Sequence, residues 1–139
     1  MYDFKNLTDK SQWFDADKLH RAFHDWLGMT QNSDSDDRLY HNFLSGVGNN
    51  HAGTYYAVIN VVLPAMIDCI QMSNHPYQIS VGCHLLIELF YFQADPESFS
   101  SEGERLACEH RVVSTILAFK DSCLPFQQLL EKIGETLEK

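Results

Sequence analysis

Basic residues are scarce in this chain: ten Lys and Arg against nineteen Asp and Glu leave a formal net charge of −9. Nucleic-acid binding needs clustered Lys and Arg to displace counterions from phosphates, and no such cluster occurs. Cysteine is equally sparse. Cys69, Cys83, Cys108 and Cys123 are widely spaced with no CxxC, which speaks against a disulfide framework or a zinc site. Three of the four stand in apolar surroundings and read as small core residues of a reducing compartment. Long hydrophobic runs are missing too. Asn60, Pro64 and Asp68 break one apolar stretch, and His84 and Glu88 break another, so neither supplies the ~20 residues of a membrane helix. Residues 1–6 combine no basic start with an apolar core, so no signal peptide and a cytoplasmic location are expected. There is no Gly-rich phosphate loop, nucleophile elbow or metalloprotease motif. Convincing strand alternation is absent as well; the β-branched stretch 55–62 is the one competitor, and its length with 63–70 behind it favours helix.

What is present is an ordinary globular composition, 45% hydrophobic and 21% charged over 139 residues, which suits one domain with a sizeable core. The centre of the chain is the most telling part. A polar turn at 48–54 opens an apolar stretch over 55–72, a Ser-Asn-His-Pro break follows at 73–76, and a second apolar stretch covers 77–92. This predicts two helices apolar around most of their circumference, which neighbours must cover on several sides.

Four more helices follow from period and caps. The first spans about 15–27, with Leu19, Ala22, Phe23, Trp26 and Leu27 at helical spacing and Gly28 as its stop. The second spans about 35–45, carrying Leu39, Tyr40, Phe43 and Leu44. The third is expected to start at Thr54 as N-cap and to kink between 60 and 63 because Pro64 removes a hydrogen bond. The fourth starts at His75-Pro76, with proline where its missing N–H costs little. The fifth opens on a capping box, Ser101-Glu102-Gly103-Glu104, and the sixth begins at Leu124-Pro125, with Phe126, Leu129, Leu130, Ile133 and Leu137 facing inward. The predicted fold is all-α. First members of successive helix pairs begin 39 and 47 residues apart, and second members 41 and 49. Those intervals resemble the roughly 40–47-residue period of HEAT and armadillo arrays. Three stacked antiparallel pairs in a right-handed α-α array are expected, with an orthogonal bundle as the plainer alternative.

Residues with chemical potential are few, and each has a plain structural reading beside the functional one. His20 and His24 stand one helical turn apart near Asp17, but a stable metal site needs further ligands, and His41 could supply one only through folding. Ser80, His84, Glu88 and Tyr91 make one polar strip on the fourth helix. It either faces a partner-binding groove, or His84 and Glu88 satisfy each other at the core edge. One straight helix cannot present a nucleophile, its base and an oxyanion hole together. Asn60, Pro64 and Asp68 make a similar strip, and Cys108-Glu109-His110 has the residue types of a thiol site at positions that point apart. Asp34, Asp36, Asp37, Asp95, Glu97, Glu102 and Glu104 crowd the helix starts. Caps and helix dipoles explain each acid singly; the one-sided surplus points to a basic partner.

The run from Gly48 to Gln93 resembles a known unit. His51-Ala52-Gly53-Thr54 before Tyr55-Tyr56-Ala57, leading into Val62-Leu63-Pro64-Ala65-Met66-Ile67, is similar to HEAT-like bacterial immunity proteins. His75-Pro76 through Leu85-Leu86-Ile87-Glu88-Leu89 resembles that unit's second helix. The resemblance implies a small cytoplasmic immunity protein of contact-dependent growth inhibition and related polymorphic toxin systems, in the broad toxin–antitoxin class. Such proteins are not enzymes and use no cofactor; they bind a cognate toxin domain, frequently a basic nuclease, and occlude its active site. An EndoU-type ribonuclease is one partner class so implied. The expected contacts are Asp34, Asp36, Asp37, Glu97, Glu102 and Glu104, with His84, Glu88 and Tyr91 as a second patch. Two other classes remain open from the residues: a helical adaptor or regulatory subunit for another basic protein, and a small metal protein or enzyme using His20, His24 and His41.

Overall fold

The computed structural model describes residues 2–29 and 36–139, and of Asp36 the backbone alone. Six α-helices run through them in three consecutive pairs: α1 (Ala16–Gly28) with α2 (Asp36–Val47), α3 (Ile59–Met72) with α4 (Pro76–Tyr91), and α5 (Glu102–Ser122) with α6 (Leu124–Ile133). The protein is predominantly α-helical, and the paired order is consistent with a HEAT-like arrangement. Helix α4 is the hub and packs against each of the other five helices. Its sequence explains that position: Val81, Cys83, Leu85, Leu86, Leu89 and Phe90 are buried around most of the helix. Gly82 lets α1 come close, since a Cβ there would sit 2.6 Å from Cζ2 of Trp26. Trp26 in turn meets Phe23 and Phe43 edge-on, at ring separations of 5.5 and 6.0 Å. A polar interlock completes the α1–α4 contact. Trp26 Nε1 donates to the Gln78 carbonyl at 2.9 Å, while Gln78 Nε2 donates to the Leu27 carbonyl at 2.8 Å. The second bond satisfies one of the carbonyls that every helix C-terminus leaves without a partner.

Several expectations hold in detail. Ser101 caps α5 through the Glu104 N–H and Pro76 opens α4; Asp15, not singled out as a cap in the sequence, caps α1 through the Lys18 N–H. All four cysteines are free; Cys83, Cys108 and Cys123 are buried, and Cys69 is half-buried. In the α5 box Glu104 Oε2 accepts from the Ser100 N–H, one residue before the expected partner.

The start of α3 is a correction. Thr54 is not its N-cap. The helix begins at Ile59 after Val58, and Thr54–Tyr55 form β2 of a small sheet. Strand β1 (Gly48–Asn49) pairs antiparallel with β2, and β3 (Gln93–Ala94) pairs parallel with it. These two-residue strands carry too little sequence for alternation to be read. The turn is made by Gly53 at φ +68° and by Asn49 Oδ1 accepting from the Ala52 N–H. Gly48 is dictated by proximity, since a Cβ there would fall 2.0 Å from the Thr54 carbonyl oxygen. The late start also changes the meaning of Pro64. The carbonyl it leaves without a helical donor belongs to Asn60, in the first turn of α3, where tighter bonds from Ile59, Asn60 and Val61 to residues three back already prevail. At the far end α6 stops at Gly134, φ +70°. Leu137 is buried beyond that turn, whereas Ile133, expected inside, is 46% exposed.

Candidate functional site

The sheet and one carboxylate gather three connections at one end of the helices. Asp9 Oδ1 accepts from the Ser11 N–H (2.9 Å) and from Ser98 Oγ (2.5 Å), and its Oδ2 accepts from the Val58 N–H (3.2 Å). Ser98 Oγ also accepts from the Ala57 N–H at 2.7 Å. The N-terminal segment, the start of α3 and the short 3-10 helix Pro96–Ser98 are thereby tied together. Asp95 extends the knot: its Oδ2 accepts from Thr54 Oγ1 and its Oδ1 from the Glu97 N–H. Helix α5 grips β3 from beneath, Glu109 Oε1 accepting from the Ala94 N–H and Arg105 donating to the Ala94 carbonyl.

A concavity of about 680 Å³ opens in this region. Leu7, Val58, Val61, Phe99 and Ala107 supply its apolar lining, and Lys10, Asn60, Glu104, Cys108 and Arg111 its polar groups. Lys10 is bonded to Ser100, and Arg111 donates to Asn60 Oδ1 at 2.7 Å. Cys108 is 1% exposed, and burial pushes its thiol above the ordinary range, with Arg111 and Asn60 opposing. It stays protonated and is a poor nucleophile. Its neighbours diverge as adjacent helical positions must: Glu109 turns to β3 while His110 is exposed.

The expected contact residues fall into two places. Glu97 is exposed on the connection after β3, and Glu102 and Glu104 are exposed in the first turn of α5, Glu104 lining the large cleft. Glu102 pairs with Arg105, whose Nε donates to it at 2.9 Å, which holds its carboxyl below the ordinary range. Asp37 is exposed on α2; Asp34 and the side chain of Asp36 lie outside the described residues. The second patch sits elsewhere, on α4. His84 and Glu88 line a hollow of about 380 Å³ with Tyr40 and Leu44 of α2, and His84 meets the Tyr40 ring edge-on at 6.1 Å. Tyr91 leaves this group and donates to Glu135 Oε1 at 2.8 Å on the C-terminal tail.

The histidines of the alternative metal reading form no such site. His20 Nδ1 accepts from the Phe4 N–H and His24 Nε2 donates to the Tyr2 carbonyl, so both fasten the N-terminal segment. His41 lies beside Asn50 and His51 at the β1–β2 turn. Among the described residues no three His, Cys, Asp or Glu side chains form a group able to hold a metal ion. No helix among them is long and apolar enough to cross a membrane.

Sequence reasoning passed over two residues at this end. Beyond the Ser11 N–H two residues on, the partners of Asp9 lie 49 and 89 residues away, so the sequence does not mark it as a tie between segments. Trp13 is 72% exposed in the segment before α1, on the rim of two further hollows. Its signal was legible: a tryptophan among Gln12, Asp15 and Asp17, outside any periodic apolar face. No protein-family model matches the chain, and comparison with curated proteins and with solved structures finds no similar protein.

Proposed function

We propose that this protein binds a cognate basic protein, a nuclease toxin domain being the best candidate, and neutralises it by covering its active site. The observation that carries this reading is the convergence of acid-bearing connections at one pinned end. Glu97, Glu102 and Glu104 are exposed there, Glu104 on the rim of the cleft of about 680 Å³, and the connection that carries Glu97 is held by Asp9, Ser98 and Asp95. A surface whose loops are already ordered loses little entropy on binding. Within a chain of net charge −9 such a surface attracts a basic partner and rejects acidic ones. The resemblance of the central hairpin to HEAT-like immunity proteins, and the free thiols that suit the cytoplasm, agree with this function. An EndoU-type ribonuclease is the partner class to try first.

The test is protection. The chain is co-expressed with the basic toxin domain of a neighbouring reading frame, and cell survival and RNA integrity are followed. Protection is expected, together with inhibited cleavage by the purified pair and release of the complex at high salt. A stable complex that leaves cleavage running, or cells that die at the unprotected rate, would sink the neutralising role.

A further inference from the structure

Trp13 is 72% exposed, whereas the other tryptophan, Trp26, is fully buried. The backbone under Trp13 is fixed. Trp13 N donates to Ser11 Oγ (3.3 Å), Phe14 N to the Ser11 carbonyl (3.3 Å), and Ser11 N to Asp9 Oδ1 (2.9 Å). Ser11 is itself buried, and the Phe14 ring packs edge-on against Tyr56 at 6.1 Å. A large apolar group is thus presented to solvent on a turn that has little freedom left to lose, which is the character of an interface anchor.

Trp13 borders a hollow of about 620 Å³ that carries Asp9, Asp15 and Asp17 against Lys5 alone. It also borders one of about 280 Å³, lined by Lys18, Asn50 and His51 among others. Asp9 is committed to the interior, and Asp15 Oδ1 caps α1 at the Lys18 N–H. Asp15 and Asp17 are both exposed and line the same hollow as Trp13. The face of an indole attracts a cation, and a guanidinium adds a planar stack with donors for two carboxylates, which an ammonium does not. The first hollow shares Leu7, Thr8 and Asp9 with the large cleft, so the two form one continuous surface.

We infer that Trp13 is the anchor of the partner surface, with an arginine side chain of the basic partner stacked on the indole and its guanidinium toward Asp15 and Asp17. The inference rests on the reading that the partner is a basic protein. It is tested first without that partner. The isotope-labelled full chain is titrated with acetyl-Gly-Arg-Gly-amide and with the same peptide carrying citrulline, the neutral isostere of arginine. The Trp13 indole N–H should move with the arginine peptide and at least about fivefold less with citrulline, while the Trp26 indole, bonded to the Gln78 carbonyl, stays put. Equal shifts from both peptides, or none, would overturn the assignment.

With the basic partner in hand, W13A should weaken the complex at least about tenfold, and D15N with D17N about threefold. Circular-dichroism melting of both variants should match the parent, because the indole is exposed and asparagine retains the cap. Wild-type affinity in W13A would remove the anchor while leaving the neutralising role standing. An arginine-specific response at Trp13 in a chain that protects no cell would keep the surface and remove that role.

Discussion

Asp9 joins three segments of the chain through two oxygens, accepting from Ser11, Val58 and Ser98. Its removal strands donors inside a pinned loop, and each unmet donor costs free energy even though each bond made contributes little net. Asp9→Ala should therefore lower stability by about 3 kcal/mol in urea unfolding, with Asp9→Asn recovering part of it. A loss within the scatter of a surface substitution would refute the clasp. Tyr55 is the opposite case. Its ring is fully buried and its hydroxyl has no hydrogen-bond partner. Burial, then the neighbouring Cys108 and Glu109, push its pKa up, with Arg105 opposing. Tyr55→Phe removes a desolvated group and nothing else, so it should raise stability in urea unfolding by about 1 kcal/mol. A clear drop would mean that the hydroxyl is satisfied in solution.

Among the elements, the three short strands depend on α5. Glu109 and Arg105 together meet both the N–H and the carbonyl of Ala94 on β3. Glu109→Ala should speed amide exchange at Ala94 by at least about tenfold while core amides of α4 stay protected. Unchanged exchange there would show that the Glu109 carboxylate does not protect that amide. The α2–α4 hollow brings a pH dependence. Burial lowers the His84 pKa below its ordinary 6.5, with Glu88 opposing and Lys132 assisting. Unfolding restores the ordinary value, so in the interval between the two the unfolded chain binds more protons. The contribution of neutral His84 is thus complete above 6.5 and is lost as pH falls through the folded value. Between about pH 7 and pH 5 the parent should lose more of its urea midpoint than His84→Gln; parallel losses would exclude His84 as the source. The cap of α5 and the proline at the start of α4 were legible in the sequence because each is a feature confined to one turn. Strand β2 was not. Thr54 and Tyr55 read as helix from their neighbours, and the structure shows them paired with Gly48–Asn49 across the turn and with Gln93–Ala94, 39 residues on.

On the scale of the whole molecule, charge decides how fast a partner arrives and buried contacts decide how long it stays. Replacing Glu97 and Glu104 by Lys moves the formal charge from −9 to −5, two residues each changing by two. Association with a basic partner at low salt should slow by about tenfold, and its dependence on ionic strength should flatten. Identical kinetics would assign the acidity of this end to solubility. Composition and periodicity by themselves determined the all-α class, the six helices, the buried character of the central hairpin and the acidic balance, because each follows from residues a few positions apart. Tertiary structure alone decided which acids are committed inward, as Asp9 is, and which stand free to meet a partner. It also separated Tyr91 from His84 and Glu88, and left Trp13 outside while Trp26 went into the core. The physical reason is range. A helix is written in contacts three and four residues apart, whereas a surface is what remains after segments distant in sequence have covered one another.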